Sequence, residues 1–157
     1  MRIRFLALSL ATVLAAAAQN YSGPFPPKTD LPYLKHASTL LPTEESEAKE
    51  EKGKKEEITY AVPGAASSAR TPLASPIFLL QTEKVVAAKL ELYRLEPRNG
   101  RRELVVSPKK PAKTIRVNLT RLNNERLYRL EVNESLEAGE YALSAEGSNQ
   151  VFCFQVY

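Results

Sequence analysis

The hydrophobic positions of this chain recur with the spacing of β-strands rather than helices. In TIRVNL (114–119) and RLYRLEV (126–132) apolar and polar residues alternate, as they do in strands that bury one face. IFLLQ (77–81) and VFCFQVY (151–157) are almost continuously apolar, which is typical of buried strands. Because no stretch shows a long helical pattern, the chain is predicted to be all-β.

Turn-forming residues separate these strands. Asn99-Gly100 tolerates the positive φ angles of a tight hairpin turn, so residues 90–106 are predicted to form a β-hairpin. A second hairpin is predicted at the end of the chain, around Glu146–Asn149. Further short strands are predicted at 31–41 and 58–62. Eight or nine short strands in all predict a single antiparallel β-sandwich domain over residues 31–157.

Two segments lack a strand pattern. Residues 19–30 contain Pro24, Pro26 and Pro27, which favour an extended arm. Residues 43–57 contain seven Glu and four Lys with almost no apolar side chain. Because this second segment has no apolar face to dock on a core, it is predicted to be a charged, solvated loop or a frayed helix with Glu–Lys pairs at i, i+4 spacing.

The amino-terminal residues have the layout of a secretory signal peptide. Arg2 and Arg4 precede the short apolar stretch Phe5–Leu14, and Ala16–Ala18 supplies the small residues that signal peptidase requires. We expect a signal-peptide helix over residues 1–18, cleavage between Ala18 and Gln19, and a secreted or periplasmic protein. The Ala-rich composition is typical of bacterial signals, and an uncleaved membrane anchor is the alternative.

One motif near the carboxyl terminus has a structural meaning. Leu136, Gly139 and Tyr141 form an L-x-x-G-x-Y pattern immediately before a predicted strand. This pattern resembles the tyrosine corner of immunoglobulin-like and fibronectin-like Greek-key sandwiches, in which the tyrosine hydroxyl bonds back to the preceding backbone. The resemblance implies an immunoglobulin-like sandwich. Leu143 stands where antibody domains have a cysteine, and the chain has no Trp, which disfavours a true antibody-type domain.

Residues suited to catalysis or metal binding are few. His36, Asp30 and Cys153 are each the only residue of their kind. A zinc site needs three or four ligands, and a Ser-His-Asp triad would require His36 to meet Asp30 in the proline-flanked arm. Cys153 lies in an apolar run and is predicted to be a buried, inert thiol, with an intermolecular disulfide as the alternative. No glycine-rich phosphate loop is present, so we expect no catalytic site, cofactor or metal.

The charge distribution gives a binding hypothesis. The formal net charge of +4 falls to +2 without Arg2 and Arg4, which is too small to indicate nucleic-acid binding. Between Arg98 and Arg129, however, ten Lys and Arg face only two Glu, whereas five Glu and no Lys or Arg follow from Glu131 onward. A candidate anionic-surface contact is therefore formed by Arg101, Arg102, Lys109, Lys110 and Lys113. The charge pattern favours a simpler interpretation over this contact, namely that two oppositely charged strand surfaces and their loops pair across a sheet.

These patterns together predict a non-catalytic binding or structural module of the cell envelope whose ligand the sequence does not identify. The sequence does not identify a partner; an anionic envelope surface and an envelope protein are the two candidates, and no transmembrane segment is expected after signal cleavage. Two alternatives remain: a small envelope enzyme with an unrecognised site, and an assembly or sensor subunit that adds a strand to a partner.

Overall fold

The computed structural model describes residues 20–123 and 126–157, and the predicted signal peptide lies outside this part. The described chain is all-β, with one 3-10 turn at Ala87–Lys89. Its strands are β1 Tyr33–His36, β2 Thr39–Pro42, β3 Glu44–Glu47, β4 Lys49–Lys52, β5 Ile58–Pro63, β6 Arg70–Thr71, β7 Ile77–Gln81, β8 Leu90–Arg98, β9 Arg101–Val106, β10 Val117–Leu122, β11 Leu127–Val132, β12 Gly139–Ala145 and β13 Gln150–Val156. No helix in the described ranges is long and apolar enough to cross a membrane.

The strands form two sheets. A five-stranded antiparallel sheet has the order β10-β11-β7-β1-β2. The larger sheet has eight strands in the order β3-β13-β12-β8-β9-β5-β4, with the short β6 pairing in parallel with β13. The prediction of an antiparallel β-sandwich is confirmed at this level.

The larger sheet curls until its two ends meet, and we call it the curled sheet. Strand β3 pairs with β13 at one end of the strand order, and β4 pairs with β5 at the other. Only Ala48 separates β3 from β4, and its amide donates to the Asn149 carbonyl at 2.8 Å. Because one continuous segment serves both ends, the sheet surrounds an interior of its own.

The main core lies between the two sheets. Phe78 of the five-stranded sheet meets Phe154 of the curled sheet edge to face, with ring centroids 5.0 Å apart. Leu143 and Phe152 pack into the same core. On β13, Phe152 and Phe154 point into this core, whereas Cys153 points into the interior of the curled sheet. The apolar run over β13 is continuous because both of its faces are buried.

The proline-rich arm covers the outer face of the five-stranded sheet. Tyr21 packs against a cluster of Leu79, Leu122 and Leu127 on that face. At the end of the arm, Asp30 accepts hydrogen bonds from three successive backbone amides, Glu83 to Val85. Burial alone would raise the pKa of the Asp30 carboxyl, but these amides outweigh it and lower the pKa. The arm is thus tied to the sheet at both ends.

The prediction of a loop or frayed helix over residues 43–57 is wrong for most of the segment. Residues 44–52 form β3 and β4, and only 53–57 form a turn. The segment needs no apolar stripe because its backbone pairs with β13 on one side and with β5 on the other. Ala48 is buried in the interior of the curled sheet, and the Glu44 carboxylate forms an ion pair with the buried guanidinium of Arg102.

Several strand predictions hold with shifted limits. The hairpin over 90–106 is confirmed, with Asn99 and Gly100 at φ 52° and 75°. The strand predicted at 31–41 is instead a tight hairpin of β1 and β2, because Ala37 adopts a φ of 52°. The strand predicted at 114–119 begins only at Val117. Ile115 forms instead an isolated β-bridge with Leu92 of the curled sheet.

The tyrosine corner forms the hydrogen bond expected of it. The Tyr141 hydroxyl donates to the Glu137 carbonyl, four residues upstream, at 2.7 Å. The ring is 1% exposed and stacks on Phe154, while Leu136 is buried in the same core. Gly139 leaves room for the Arg94 guanidinium, which a Cβ at this position would approach to 3.2 Å.

Replacing Tyr141 by Phe removes this hydrogen bond while keeping the ring. We expect Tyr141→Phe to lower the free energy of unfolding by about 1 kcal/mol, the typical net value of one hydrogen bond. Urea denaturation followed by circular dichroism measures the change. Tyr128→Phe, at a half-buried tyrosine of the opposite sheet, is the control. Equal unfolding free energies for wild type and Tyr141→Phe would show that the bond does not stabilise the fold.

Candidate functional site

The interior of the curled sheet contains a cavity of about 640 Å³. Small and apolar side chains from five strands or their junctions form its wall, because alternate residues of each strand point inward. These residues are Ala48, Val62, Leu95, Ala142 and Val151. The volume lies within the roughly 300–1,000 Å³ range of small-molecule sites. A second recess of about 560 Å³, which Arg94, Glu96 and Arg98 help to line, has a more polar wall, so the interior cavity is the candidate functional site.

One side of the cavity is closed by a strap, residues 107–115. The ladder between β8 and β9 contains only three residue pairs, from Glu96↔Glu103 to Arg98↔Arg101, and then the strands separate. The Ile115 amide donates to the Leu92 carbonyl of β8 at 2.8 Å, which fixes the end of the strap across the gap. Pro111 and Ala112 of the strap line the cavity.

A buried charge network lies beside the cavity on the same inner face. Along β9 the inward residues are Arg102 and then Leu104, and along β12 they are Glu140 and then Ala142. Arg102 and Glu140 are only 1% and 2% exposed. The network therefore occupies one end of the interior, and the cavity occupies the other.

The Arg102 guanidinium has an acceptor for each of its three nitrogens. Nη2 donates to the Glu44 carboxylate at 2.6 Å and to the Pro63 carbonyl at 2.5 Å. Nη1 donates to Ser67 Oγ at 2.6 Å, and Nε donates to the Gly64 carbonyl at 3.0 Å. A charge taken out of water is tolerated only when it is paired and hydrogen-bonded in this way.

The two carboxylates of the network, Glu44 and Glu140, also accept several hydrogen bonds. Ser67 donates to Glu140 through both its amide and its hydroxyl, and Arg102 Nη1 lies 3.9 Å from the Glu140 carboxylate. Burial alone would raise the pKa of the Glu44 carboxyl, but the hydrogen bonds from Arg102 and the Ser68 amide outweigh it and lower the pKa. Glu44 therefore remains a carboxylate at neutral pH.

The cavity wall also has polar members that no sequence motif singled out. Glu50 of β4 stands directly opposite Tyr60 of β5, and both line the cavity. Across the interior, the Tyr93 hydroxyl donates a short hydrogen bond to the Glu91 carboxylate. Burial, followed by this bond, raises the pKa of Tyr93 to about 12, so the phenol keeps its proton at neutral pH.

The five residues predicted to contact an anionic surface differ in exposure and in ion pairing. Arg102 is inside the fold and cannot reach a surface, because burial and its paired carboxylates hold it there. Arg101 is bidentate to Glu51, with both bonds at 2.9 Å, and its Nε lies 2.6 Å from Glu103. Lys109, Lys110 and Lys113 lie together on the strap and are exposed, with no ion-pair partner in the described part of the chain.

The residues considered for catalysis do not converge on the cavity. His36 Nε2 lies 2.8 Å from the Thr71 hydroxyl, at the five-stranded sheet. The Asp30 carboxylate is occupied by backbone amides. Cys153 is buried as predicted, and burial raises the pKa of its thiol to about 12. Within residues 20–123 and 126–157, no group of three or more His, Cys, Asp or Glu could hold a metal ion.

No protein-family model, curated protein or solved structure matches this chain. The candidate site therefore rests on its own geometry.

The buried network can be tested by removing its cation. We expect Arg102→Met to lower the free energy of unfolding by about 3–5 kcal/mol, because the buried Glu140 and the half-buried Glu44 would lose their positive partner. Arg98→Met is the control, since this arginine of the same hairpin is exposed and lies 3.9 Å from Glu103. We expect it to cost less than about 1 kcal/mol in urea denaturation. Similar small losses for both variants would contradict the structural role of Arg102.

Proposed function

We propose that this chain is a non-catalytic binding module whose ligand occupies the cavity of the curled sheet. The observation that carries the proposal is a cavity of ligand size whose wall combines apolar side chains with polar groups, among them Tyr60, Tyr93, Glu50 and Glu91. Apolar walls supply affinity through burial of the ligand, and a few polar groups orient it.

A binding role is favoured over catalysis because the reactive side chains are already engaged elsewhere. Ser67 donates to Glu140 and accepts from Arg102 in a buried network, so its hydroxyl is not free to act as a nucleophile. The high pKa of Cys153 keeps it in the unreactive thiol form at neutral pH. His36 is hydrogen-bonded to Thr71 away from the cavity.

The place of action and the fold relationship are part of this proposal. The layout of residues 1–18 supports export, so we propose that the module works in the periplasm or outside the cell. The corner bond from Tyr141 to Glu137 supports an immunoglobulin-like origin for the carboxyl-terminal strands.

A second function is supported by the strap. Lys109, Lys110 and Lys113 project within five residues of one another, are exposed, and have no carboxylate within ion-pair distance in the part of the chain described. Such a cluster is attracted to anionic lipid or cell-wall polymer. We propose that these lysines, without Arg101 and Arg102, dock the module on an anionic envelope surface.

Filling the cavity tests the binding function. Ser144 is half-buried on the cavity wall, so Ser144→Phe places a ring in the space that a ligand would occupy. We expect a neutral, polarity-sensitive fluorescent probe to bind the wild type and to bind Ser144→Phe at least about tenfold more weakly. Thr120→Phe, on the half-buried face of β10, is the control and should bind like the wild type. Equal binding by all three proteins would exclude the cavity as the site.

Changing the strap lysines tests the docking function. We expect the wild type to bind vesicles rich in anionic phospholipid at low salt and to be released as salt rises, because screening shortens the reach of surface charges to about 10 Å at 0.1 M. Replacing Lys109, Lys110 and Lys113 by Gln should weaken co-sedimentation with the vesicles. The control replaces Lys28, Lys84 and Lys89 by Gln, which removes the same charge elsewhere. Equal losses in both triple variants would contradict docking through the strap.

A further inference from the structure

The charged groups on the cavity wall are all of one sign. Four glutamates line the cavity, and in the described chain no lysine or arginine does. Glu146, at the turn between β12 and β13, has Lys89 at 3.5 Å. Glu50, Glu56 and Glu91 have no ion-pair partner among the described residues. A ligand entering the cavity therefore meets three exposed carboxylates that have no ion-pair partner among the described residues.

Aromatic rings stand beside two of these carboxylates. Tyr60 is the cross-strand neighbour of Glu50, and Tyr93 donates its hydroxyl to Glu91. A tyrosine ring attracts a cation over its face, and the attraction grows when the cation is removed from water. Both rings are half-buried on the cavity wall, so each carboxylate and its neighbouring ring favour the same kind of head group.

An anionic head group finds no counter-charge inside the cavity. The nearest guanidinium on the inner face, Arg102, is 1% exposed, and its nitrogens donate to Glu44, Ser67 and backbone carbonyls. The strap lysines do not line the cavity. An anion would be placed beside Glu50 and Glu91, which are exposed, so solvent screens part of their repulsion but no cation on the described wall offsets it.

We propose that the cavity selects ligands with an apolar body and a cationic head group, such as an alkylammonium. The apolar body lies against Ala48, Leu95, Ala142 and Val151, and the head group lies between the Glu50–Tyr60 and Glu91–Tyr93 pairs. This inference rests on the binding function proposed above and adds the chemical class of the ligand.

Three probes with the same chain and different head groups test the inference. Decyltrimethylammonium, decanol and decyl sulfate are titrated into the full mature chain by isothermal calorimetry, below the concentrations at which they form micelles. We expect the cation to bind at least about tenfold more tightly than the anion, since a charge-assisted contact contributes about one factor of ten or more. Decanol should bind with intermediate affinity.

Matched variants assign the preference to the wall carboxylates. We expect Glu50→Gln and Glu91→Gln each to weaken binding of the cation about tenfold and to leave decanol binding unchanged. Glu47→Gln is the control, because Glu47 is exposed on the same charged segment and does not line the cavity. Melting temperatures establish that each variant is folded, and the comparison of three probes on the wild type needs no variant.

The outcomes separate the two proposals. Equal affinity for all three probes, or a preference for decyl sulfate, would overturn the cationic class and leave the binding function standing. The same conclusion would follow if Glu47→Gln weakened binding of the cation as much as Glu50→Gln and Glu91→Gln. Binding of none of the probes would overturn both proposals.

Discussion

The buried guanidinium of Arg102 is the interaction on which the curled sheet depends. It joins four parts of the chain that are distant in sequence: β9, β3, the turn from Pro63 to Ser67 and, through Ser67, Glu140 of β12. A buried cation is tolerated only if all of its acceptors are in place, so these parts must assemble together. This requirement also explains why the charged segment that contains Glu44 forms strand β3. Glu44 supplies the carboxylate that pairs with Arg102. Once β3 is fixed, β4 follows after a single residue and pairs with β5, which completes the curl.

The second constraint is that the central strands of the curled sheet are buried on both faces. Strand β13 places Phe152 and Phe154 in the core between the sheets and Cys153 in the interior. Strand β8 does the same with Leu92 and Leu95. Such strands cannot shift by one residue without exchanging the side chains of two different cores, so their register is closely specified. The Cys153 thiol is also buried there, and burial raises its pKa enough to keep it protonated at neutral pH.

The features that were predictable from sequence are those governed by local chemistry. The Asn99-Gly100 turn, the buried apolar strand β13 and the corner at Tyr141 each depend on a few adjacent residues. The sequence alone therefore predicts each of them. Strands β3 and β4 are not predictable in this way, because Arg102, the partner of Glu44, lies 58 residues away and a charge pattern alone favours solvent. One sequence signal for β3 is the alternation expected of a strand. Glu44, Ser46 and Ala48 are at least half-buried and alternate with the exposed Glu45 and Glu47. The cavity could not be found in this way, because its wall is assembled from residues that no single window of sequence contains.

A cavity inside so small a curled sheet requires an explanation, because few-stranded barrels are normally filled by their own side chains. Two features leave one end of this interior unfilled by side chains. Ala48 and Ala142 are too short to reach the middle, and the early separation of β8 from β9 widens the sheet beside them. The strap then closes the gap with Pro111 and Ala112 rather than with a long side chain. Bulkier residues at Ala48 and Ala142 would occupy part of this space. The small residues at these two positions support the proposed binding function, because they leave space on the wall of the cavity.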